Sequence, residues 1–387
     1  MRICYVSSIL SIHDERFFDK FIEKGHDVHV VSLFSTKKIT REGIKFYYNN
    51  LGVIPGFKKK NLFIIKAINY IYMMIKATIR LKKILRNIQP DILHGGWVEN
   101  DGFICAATGF HPFLLMPWGS DILIAPKLSI FHKIIAKYTI RKSDMITCDC
   151  ESMKNEINRL SGYPKDRIIT FPWGIDLKKF NPNINGLEIR NKLGWGQDKK
   201  ILITVSYLKK IYGIEYLLHS VPFIINEVPE TRVIICGDGE LKEDLVQWVK
   251  SNGLREYVYF AGHVPNEELP KYYNAADIFI YTPLSSGSSL ALLEAMACGL
   301  PVVASSIPAL MEWIRDGYNG FIVPVKDSKV LAEKIVKLLK DNDIAIKFGN
   351  NNIQIAKEKA DWDKNFEKLE MIYNTLANYY EYKEIKK

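Results

Sequence analysis

Residues 285–289 read Ser-Ser-Gly-Ser-Ser and lead directly into LALLEAMA, a run of good helix formers whose one acid is Glu294. Such a run at a helix start sets main-chain N–H groups and the positive end of a helix dipole beside side chains small enough to leave room for a ligand. The chemistry this suits is the holding of a phosphate or a sugar, with hydroxyls from Ser286, Ser288 and Ser289 and main-chain N–H groups from Gly287 and Leu290. A plain serine N-cap accounts for one of these serines, hardly for four around a glycine. Glu294 lies among Leu293, Ala295 and Met296, so its carboxylate needs donors. Two ribose hydroxyls are one natural pair; a lysine or main-chain amides are the other. A second turn, Gly237-Asp238-Gly239, follows the apolar run TRVIIC. Its glycines permit close main-chain approach to a flat or anionic ligand, and they equally suit an ordinary loop.

The elements that must position these residues follow one pattern. Short β-branched runs alternate with longer segments of helical period, the βαβ signature of parallel sheets. In the first half strands are expected at 2–6, 27–33, 91–94, 113–117, 145–148 and 167–171, and in the second at 201–207, 231–237, 257–262, 277–283, 300–305 and 320–324. The fold class is therefore α/β, with two doubly wound parallel sheets. Ligands of such sheets bind outside the carboxyl ends of the strands, and two sheets facing each other make a cleft. The cluster of Pro, Gly and Asn at 172–198 marks an interdomain linker. The expected division is 1–180 and 181–360, one doubly wound domain each, and 361–387, an amphipathic helix that either crosses back to the first domain or simply ends the chain.

Composition narrows the class. A chain of 387 residues, 48% hydrophobic and 25% charged, is that of a globular protein of two domains. The net charge of +10 suits a phosphate-bearing substrate or an anionic surface, and equally a lysine-rich coding bias. No nucleic-acid motif accompanies it, so no nucleic-acid partner is expected. Cys4, Cys105, Cys148, Cys150, Cys236 and Cys298 mostly lie inside apolar segments, which points to a reducing cytoplasm. Cys148-Asp149-Cys150 lacks a second ligand pair at zinc spacing, so no metal is expected. MRICYVSSIL reaches His13 and Asp14 too soon for a signal peptide, and NLFIIKAINYIYMMIKATI (61–79) is interrupted by Lys66 and Lys76, against a membrane span.

Taken in order, EKGHDVHVVS, QPDILHGGW, PWGSDIL, SDMITCDCESMKNEI, FPWGIDLKKFNP, GIEYLL, ICGDGEL, FAGHVPNEELPKYYNAADIFIYTP, LLEAMACGLPVVAS and PALMEWIRDGYNGFIVP resemble the family 4 glycosyltransferases of the GT-B fold. The likeness spans essentially the whole chain. It implies two Rossmann-like domains facing a cleft, 1–180 binding the acceptor and 181–360 the donor, with the 361–387 helix crossing back to the first, and a transferase that uses a nucleotide-diphosphate sugar as co-substrate, with no cofactor or metal, and retains anomeric configuration. Glu294 matches the second glutamate of a two-glutamate motif, the ribose ligand.

Departures from the family pattern define a subgroup. The first glutamate falls on Ser286. The arginine and lysine that clamp the diphosphate match Tyr207 and Tyr212 in VSYLKKIYG, leaving Lys209 and Lys210, or the Ser/Gly loop and helix dipole, to hold the phosphates. Gly237 and Asp238 complete the expected donor set. In the first domain a family histidine matches Trp118, so Asp121 becomes the polar group expected at the cleft, with His13 and His94 as companions in catalysis. Each also has a structural reading: caps for Asp121 and His13, a core imidazole for His94. A glycine pair after the first strand is replaced by Ser7-Ser8-Ile9.

The resulting expectation is sugar transfer to a hydroxyl of a glycan or lipid-linked acceptor, the leaving diphosphate stabilised by loop amides, a helix dipole and lysines. Competing readings are a sugar-nucleotide binder without transferase activity and a nucleotide-sugar epimerase or hydrolase. GFKKKNLFIIKAINYIYMMIKATIRLKKILRN (56–87) carries basic clusters at both ends of an apolar helical stretch. It reads either as an element lying on an anionic membrane, placing a cytoplasmic enzyme on the inner face, or as a helix packed on the sheet.

Overall fold

The computed structural model describes residues 1–8, 12–34, 38–48 and 63–385, and the side chains of these other than 12, 13, 63–68, 381 and 383–385. The chain divides into two units: Met1–Phe171 together with Phe366–Lys387, and Pro172–Asn365.

In the first unit strands β1 (Arg2–Val6), β2 (Asp27–Ser32), β3 (Ile44–Tyr48), β4 (Ile92–Gly96), β5 (Phe113–Met116), β6 (Met145–Cys148) and β7 (Ile168–Thr170) form one sheet in the order β3-β2-β1-β4-β5-β6-β7. Every pair is parallel. The helices are α1 (Ile12–Glu23), α2 (Phe63–Ile88), α3 (Phe103–Thr108), α4 (Ser120–Leu123), α5 (Ala125–Leu128), α6 (Ile130–Lys142) and α7 (Glu151–Ser161). Strand β1 is buried over Ile3–Val6 and β4 throughout, as expected of a parallel sheet covered on both faces. Strand β3 has no counterpart among the sequence expectations. It is an edge strand, only partly buried, so IKFYY never shows the continuous apolar run of a central strand.

The second unit carries α8 (Leu187–Lys192), β8 (Lys200–Val205), α9 (Ile214–Glu227), β9 (Thr231–Cys236), α10 (Lys242–Ser251), β10 (Val258–Gly262), α11 (Leu269–Ala275), β11 (Ile278–Tyr281), α12 (Leu290–Ala297), β12 (Val302–Ser305), α13 (Pro308–Met311), β13 (Gly320–Val323), α14 (Ser328–Lys340) and α15 (Asn342–Lys359). Its sheet runs β10-β9-β8-β11-β12-β13, again parallel. Strand residues alternate between two cores. Ile201, Ile203, Phe279 and Val302 share one with α11 and α12; Leu202, Ile278, Ile280 and Val303 share the other with α9 and α14. Each such side chain contributes about 1.5 to 3 kcal/mol of burial free energy.

The segment expected as the interdomain linker, 172–198, is packed into the second unit. Ile175 donates to Ala360 O at 2.7 Å and accepts from Trp362 N at 3.1 Å, and Ile175, Phe180 and Ile189 are buried. Gly174 (φ +82°) is required there, because a Cβ would stand 2.8 Å from Ala360 O. The Pro/Gly/Asn richness reports the turns of this path, not freedom from contacts. The last helix, α16 (Trp362–Ile385), buries Phe366, Leu369, Tyr373 and Leu376, an i, i+3, i+7, i+10 stripe. Phe366 and Tyr373 lie 5.4 and 5.8 Å from Phe21 of α1, ring centre to ring centre.

Candidate functional site

In the second unit the order of the sheet reverses between β8 and β11, so the loops leaving these strands open a crevice at their carboxyl ends. Three loops are stitched together there. Thr282 Oγ1, just after β11, donates to Gly213 O at 3.0 Å, and Leu284 N donates to Ile211 O at 2.8 Å. Leu208 N, after β8, donates to Asp238 O at 2.9 Å, and Leu241 N returns a bond to Leu208 O at 3.0 Å. The glycines are obligatory here. Gly237 has φ +144°, and a Cβ on it would lie 1.8 Å from Ser206 O. Asp238 is exposed and paired with Lys242 at 2.7 Å, which holds its carboxyl below the usual range.

The Ser285–Ser289 loop is half-buried and each of its hydroxyls is placed differently. Ser286 Oγ lies 3.3 Å from the Tyr281 hydroxyl. Ser288 Oγ accepts from the indole N–H of Trp313 at 3.0 Å. Ser289 is the N-cap of α12, its Oγ accepting from Leu292 N at 3.3 Å. The first-turn N–H groups of Leu290 and Ala291 have no acceptor within the helix, as in every α-helix. Glu294, one turn further in, is buried, and its Oε2 accepts from Tyr273 OH at 2.9 Å. Tyr273 is fully enclosed, and burial, with the carboxylate beside it, pushes its phenol far up. Glu294 is thus a buried carboxylate gripped from behind by a phenol.

The positions matching the family clamp look different. Tyr207 is 62% exposed, with the Lys209 ammonium 5.7 Å from its ring centre and Tyr212 6.4 Å away. Tyr212 is largely buried, its phenol pushed up to about 12. Lys209 and Lys210 are exposed, and neither is held in an ion pair with another described residue.

In the first unit the sheet order reverses between β1 and β4. A small recess, partly open to solvent, lies there, lined by Ser7, Asp14, Gly96, Trp97, Asp101 and Trp118. Gly96 admits it: a Cβ would stand 2.8 Å from the Trp118 indole nitrogen. Trp97 holds φ +49°, uncommon for an aromatic residue and a sign of a backbone fixed by its surroundings. Asp101 is fully buried and bonded by both the N–H (3.0 Å) and hydroxyl of Ser8, yet burial dominates and pushes its carboxyl up to about 7. Asp14 accepts from Tyr5 OH at 2.9 Å. Glu99, half-buried beside Asp121, is also pushed up to about 7, chiefly by burial.

Neither Asp121 nor His94 lines this recess. Asp121 is fully buried, and its carboxylate accepts from the main-chain N–H groups of Val98 (3.0 Å), Trp118 (3.0 Å) and Gly119 (2.8 Å). It ties the segment after β4 to the segment after β5 and so positions both tryptophans. His94 is enclosed against Tyr5 and Tyr373, its Nδ1 bonded to the Tyr373 hydroxyl, and burial lowers its pKa to about 3, which keeps it neutral. The side chain of His13 lies outside the described residues. Asp14 and Asp101, which the sequence reading did not single out, are the acids that reach the recess.

Comparison with known proteins agrees with this architecture. Residues 2–150 match the family model described as glycosyl transferase 4-like, and residues 186–355 the model described as glycosyl transferases group 1. An uncharacterised glycosyltransferase of Methanocaldococcus jannaschii is 25% identical over 374 residues, 92% of this chain and 91% of that protein. The N-acetyl-alpha-D-glucosaminyl L-malate synthase of Bacillus anthracis is 22% identical over 357 residues, 91% of this chain and 90% of that protein. Among solved structures, Anabaena HepE in complex with UDP superposes with a TM-score of 0.75 at 17% identity, covering 97% of this chain and 100% of that one, which shows a shared fold. With two parallel-sheet Rossmann-like units and both family models matched in order, the chain belongs to glycosyltransferase family 4 and is a glycosyltransferase of the GT-B fold.

Proposed function

We propose that the second unit binds a nucleotide-diphosphate sugar and that the enzyme moves the sugar, with retention of anomeric configuration, to a hydroxyl of a glycan or lipid-linked acceptor. The observation that carries this reading is the Ser285–Ser289 loop running onto α12 with Glu294 one turn inside, at the switch point of the sheet. In this reading the diphosphate rests on the N–H groups of Gly287, Leu290 and Ala291 at the positive end of α12, with Ser286, Ser288 and Ser289 around it. The ribose hydroxyls donate to Glu294, whose carboxylate Tyr273 holds in place. Lys209, over the ring of Tyr207, and its neighbour Lys210 are exposed cations that supply the charge a fixed arginine fork gives elsewhere.

The bond from the anomeric carbon to the diphosphate oxygen breaks, and its electron pair leaves with the diphosphate. The acceptor oxygen bonds the same face, and its proton passes to the departing phosphate oxygen. This chain lowers the barrier by fixed dipoles aimed at the growing negative charge and by positioning. The recess lined by Asp14, Asp101 and the two indoles takes part of the acceptor: aromatic faces suit sugar C–H surfaces, and the acids accept from hydroxyls.

A thermal-shift panel of UDP-, GDP-, ADP-, dTDP- and CMP-sugars tests the donor site, since a ligand bound only by the folded state raises the melting temperature. At least one is expected to stabilise the wild type and to lose that effect in Ser286→Ala/Glu294→Ala. Proton NMR of the product made from that donor reads the anomeric configuration.

A further inference from the structure

Helix α2 and the α5–α6 pair contain no acidic residue anywhere between 63 and 88 or between 125 and 142. Both pack on α3 with one face. On their outer faces they expose large aliphatic side chains at helical spacing: Ile71, Ile75 and Ile79 on α2, then Leu128, Ile130 and Ile134 at α5–α6. Ile79 is 63% and Ile130 72% exposed, where an isoleucine of a packed helix is normally enclosed. The two strips adjoin. Tyr70 of α2 meets Phe131 of α6 edge to face, ring centres 6.1 Å apart, and anchors its hydroxyl on Glu99 O. Cations border the aliphatic strip on each helix. Lys76 lies over the Tyr72 ring at 4.4 Å, and Lys76, Arg80, Lys83 and Lys133 are exposed with no ion pair to another described residue.

We propose that this two-helix surface of the first unit lies on an anionic phospholipid bilayer. An exposed aliphatic strip larger than scattered surface residues marks an interaction site. An aliphatic strip bordered by lysine and arginine, on helices that carry no acid, fits a partner that is apolar inside and negative at its surface, which is an acidic membrane. No helix among the described residues is long and apolar enough to cross a bilayer, so the contact lies in the interface plane, aliphatic side chains reaching about 5 to 10 Å into the headgroup and acyl boundary. The involvement of α6 goes beyond the 56–87 segment, and the inference is independent of which donor or acceptor the enzyme uses.

Flotation through a density gradient with vesicles of phosphatidylcholine and phosphatidylglycerol in equal parts, against phosphatidylcholine alone, tests it without turnover. The full chain is expected to float with the mixed vesicles, less so as salt rises. Ile75→Ser with Ile134→Ser is expected to weaken partitioning about tenfold per site. Lys76→Glu with Lys133→Glu is expected to weaken it by at least about fivefold per site. All four side chains are exposed, so melting curves of both double variants should match the wild type. No flotation with the mixed vesicles, or flotation undiminished in both double variants, overturns the proposal. So does a self-associated species that the isoleucine variants dissolve while vesicles bind nothing, which would assign the surface to a second copy of the chain. Either failure leaves the transferase reading untouched, because thermal shifts with sugar nucleotides need no membrane.

Discussion

Replacing Glu294 by glutamine keeps the shape of the side chain and the acceptor for Tyr273 OH, but removes the charge. A hydrogen bond to a charged group contributes about 1.5 to 3 kcal/mol and one between neutral groups about 0.5 to 1.5. With one ribose hydroxyl donating to this carboxylate, Glu294→Gln therefore costs about 1 to 1.5 kcal/mol of nucleotide affinity, roughly five- to twelvefold in Kd. The loss should fall on KM for the donor with kcat nearly unchanged, because the ribose contact is the same in ground and transition states. Tyr273→Phe removes the phenol that aims the carboxylate from 2.9 Å and should cost about threefold to tenfold in the same direction. Since both act through one carboxylate, the double variant should lose less than the product of the two. Isothermal titration with the nucleoside diphosphate of the preferred donor, over all four corners of the cycle, gives these numbers directly. Unchanged affinity in Glu294→Gln would refute the ribose assignment. Strictly multiplicative effects would show that Tyr273 does not act through Glu294.

Three further outcomes are expected. Asp101 has its pKa raised from 3.8 to about 7 in the folded chain, so below 3.8 both states are protonated and its burial costs nothing; stability should fall as pH rises from about 4 to 7 and level off above. Urea midpoints across that range should flatten in Asp101→Asn, which keeps the partner of Ser8. Gly237→Ala forces a Cβ to within 1.8 Å of Ser206 O at φ +144°, so denaturant titration should show a loss of about 1 to 3 kcal/mol from backbone strain alone, and nucleotide binding should weaken with it. Ser288→Ala takes away the acceptor 3.0 Å from the buried Trp313 indole N–H and should cost about 1 to 3 kcal/mol by the same measurement, whether or not a ligand is bound.

What could be read from the sequence was what local pattern encodes. The central strands announce themselves because a parallel sheet buried on both faces needs uninterrupted apolar runs, and FLLM and IFIY are such runs. The Ser/Gly loop was legible for the same reason: N-cap, glycine and helix formers are neighbours in the chain. The half-buried edge strand Ile44–Tyr48 gave no such run. Partners distant in sequence were beyond reach. His94 is enclosed by Tyr373, 279 positions away, and burial keeps its imidazole neutral, while Asp101 is drawn to Ser8 across 93. Asp121 carries two readings in the sequence, a cleft group and a cap; the N–H groups of its near neighbours Trp118 and Gly119 fit the cap, and the third, from Val98, is the one that comes from a distant segment. Residues 172–198 read as a linker because Pro, Gly and Asn mark turns whether or not the turns are packed.

The second unit is one continuous stretch, whereas the first is assembled from both ends of the chain, with Phe366, Tyr373 and their neighbours completing its aromatic interior. During synthesis on the ribosome the later unit has all its residues before the earlier one does. The earlier one must wait, with the faces of Phe21 and His94 that meet the final helix uncovered, until that helix emerges, and a premature stop shortly before residue 366 would leave a finished second unit tethered to a half-built, aggregation-prone partner.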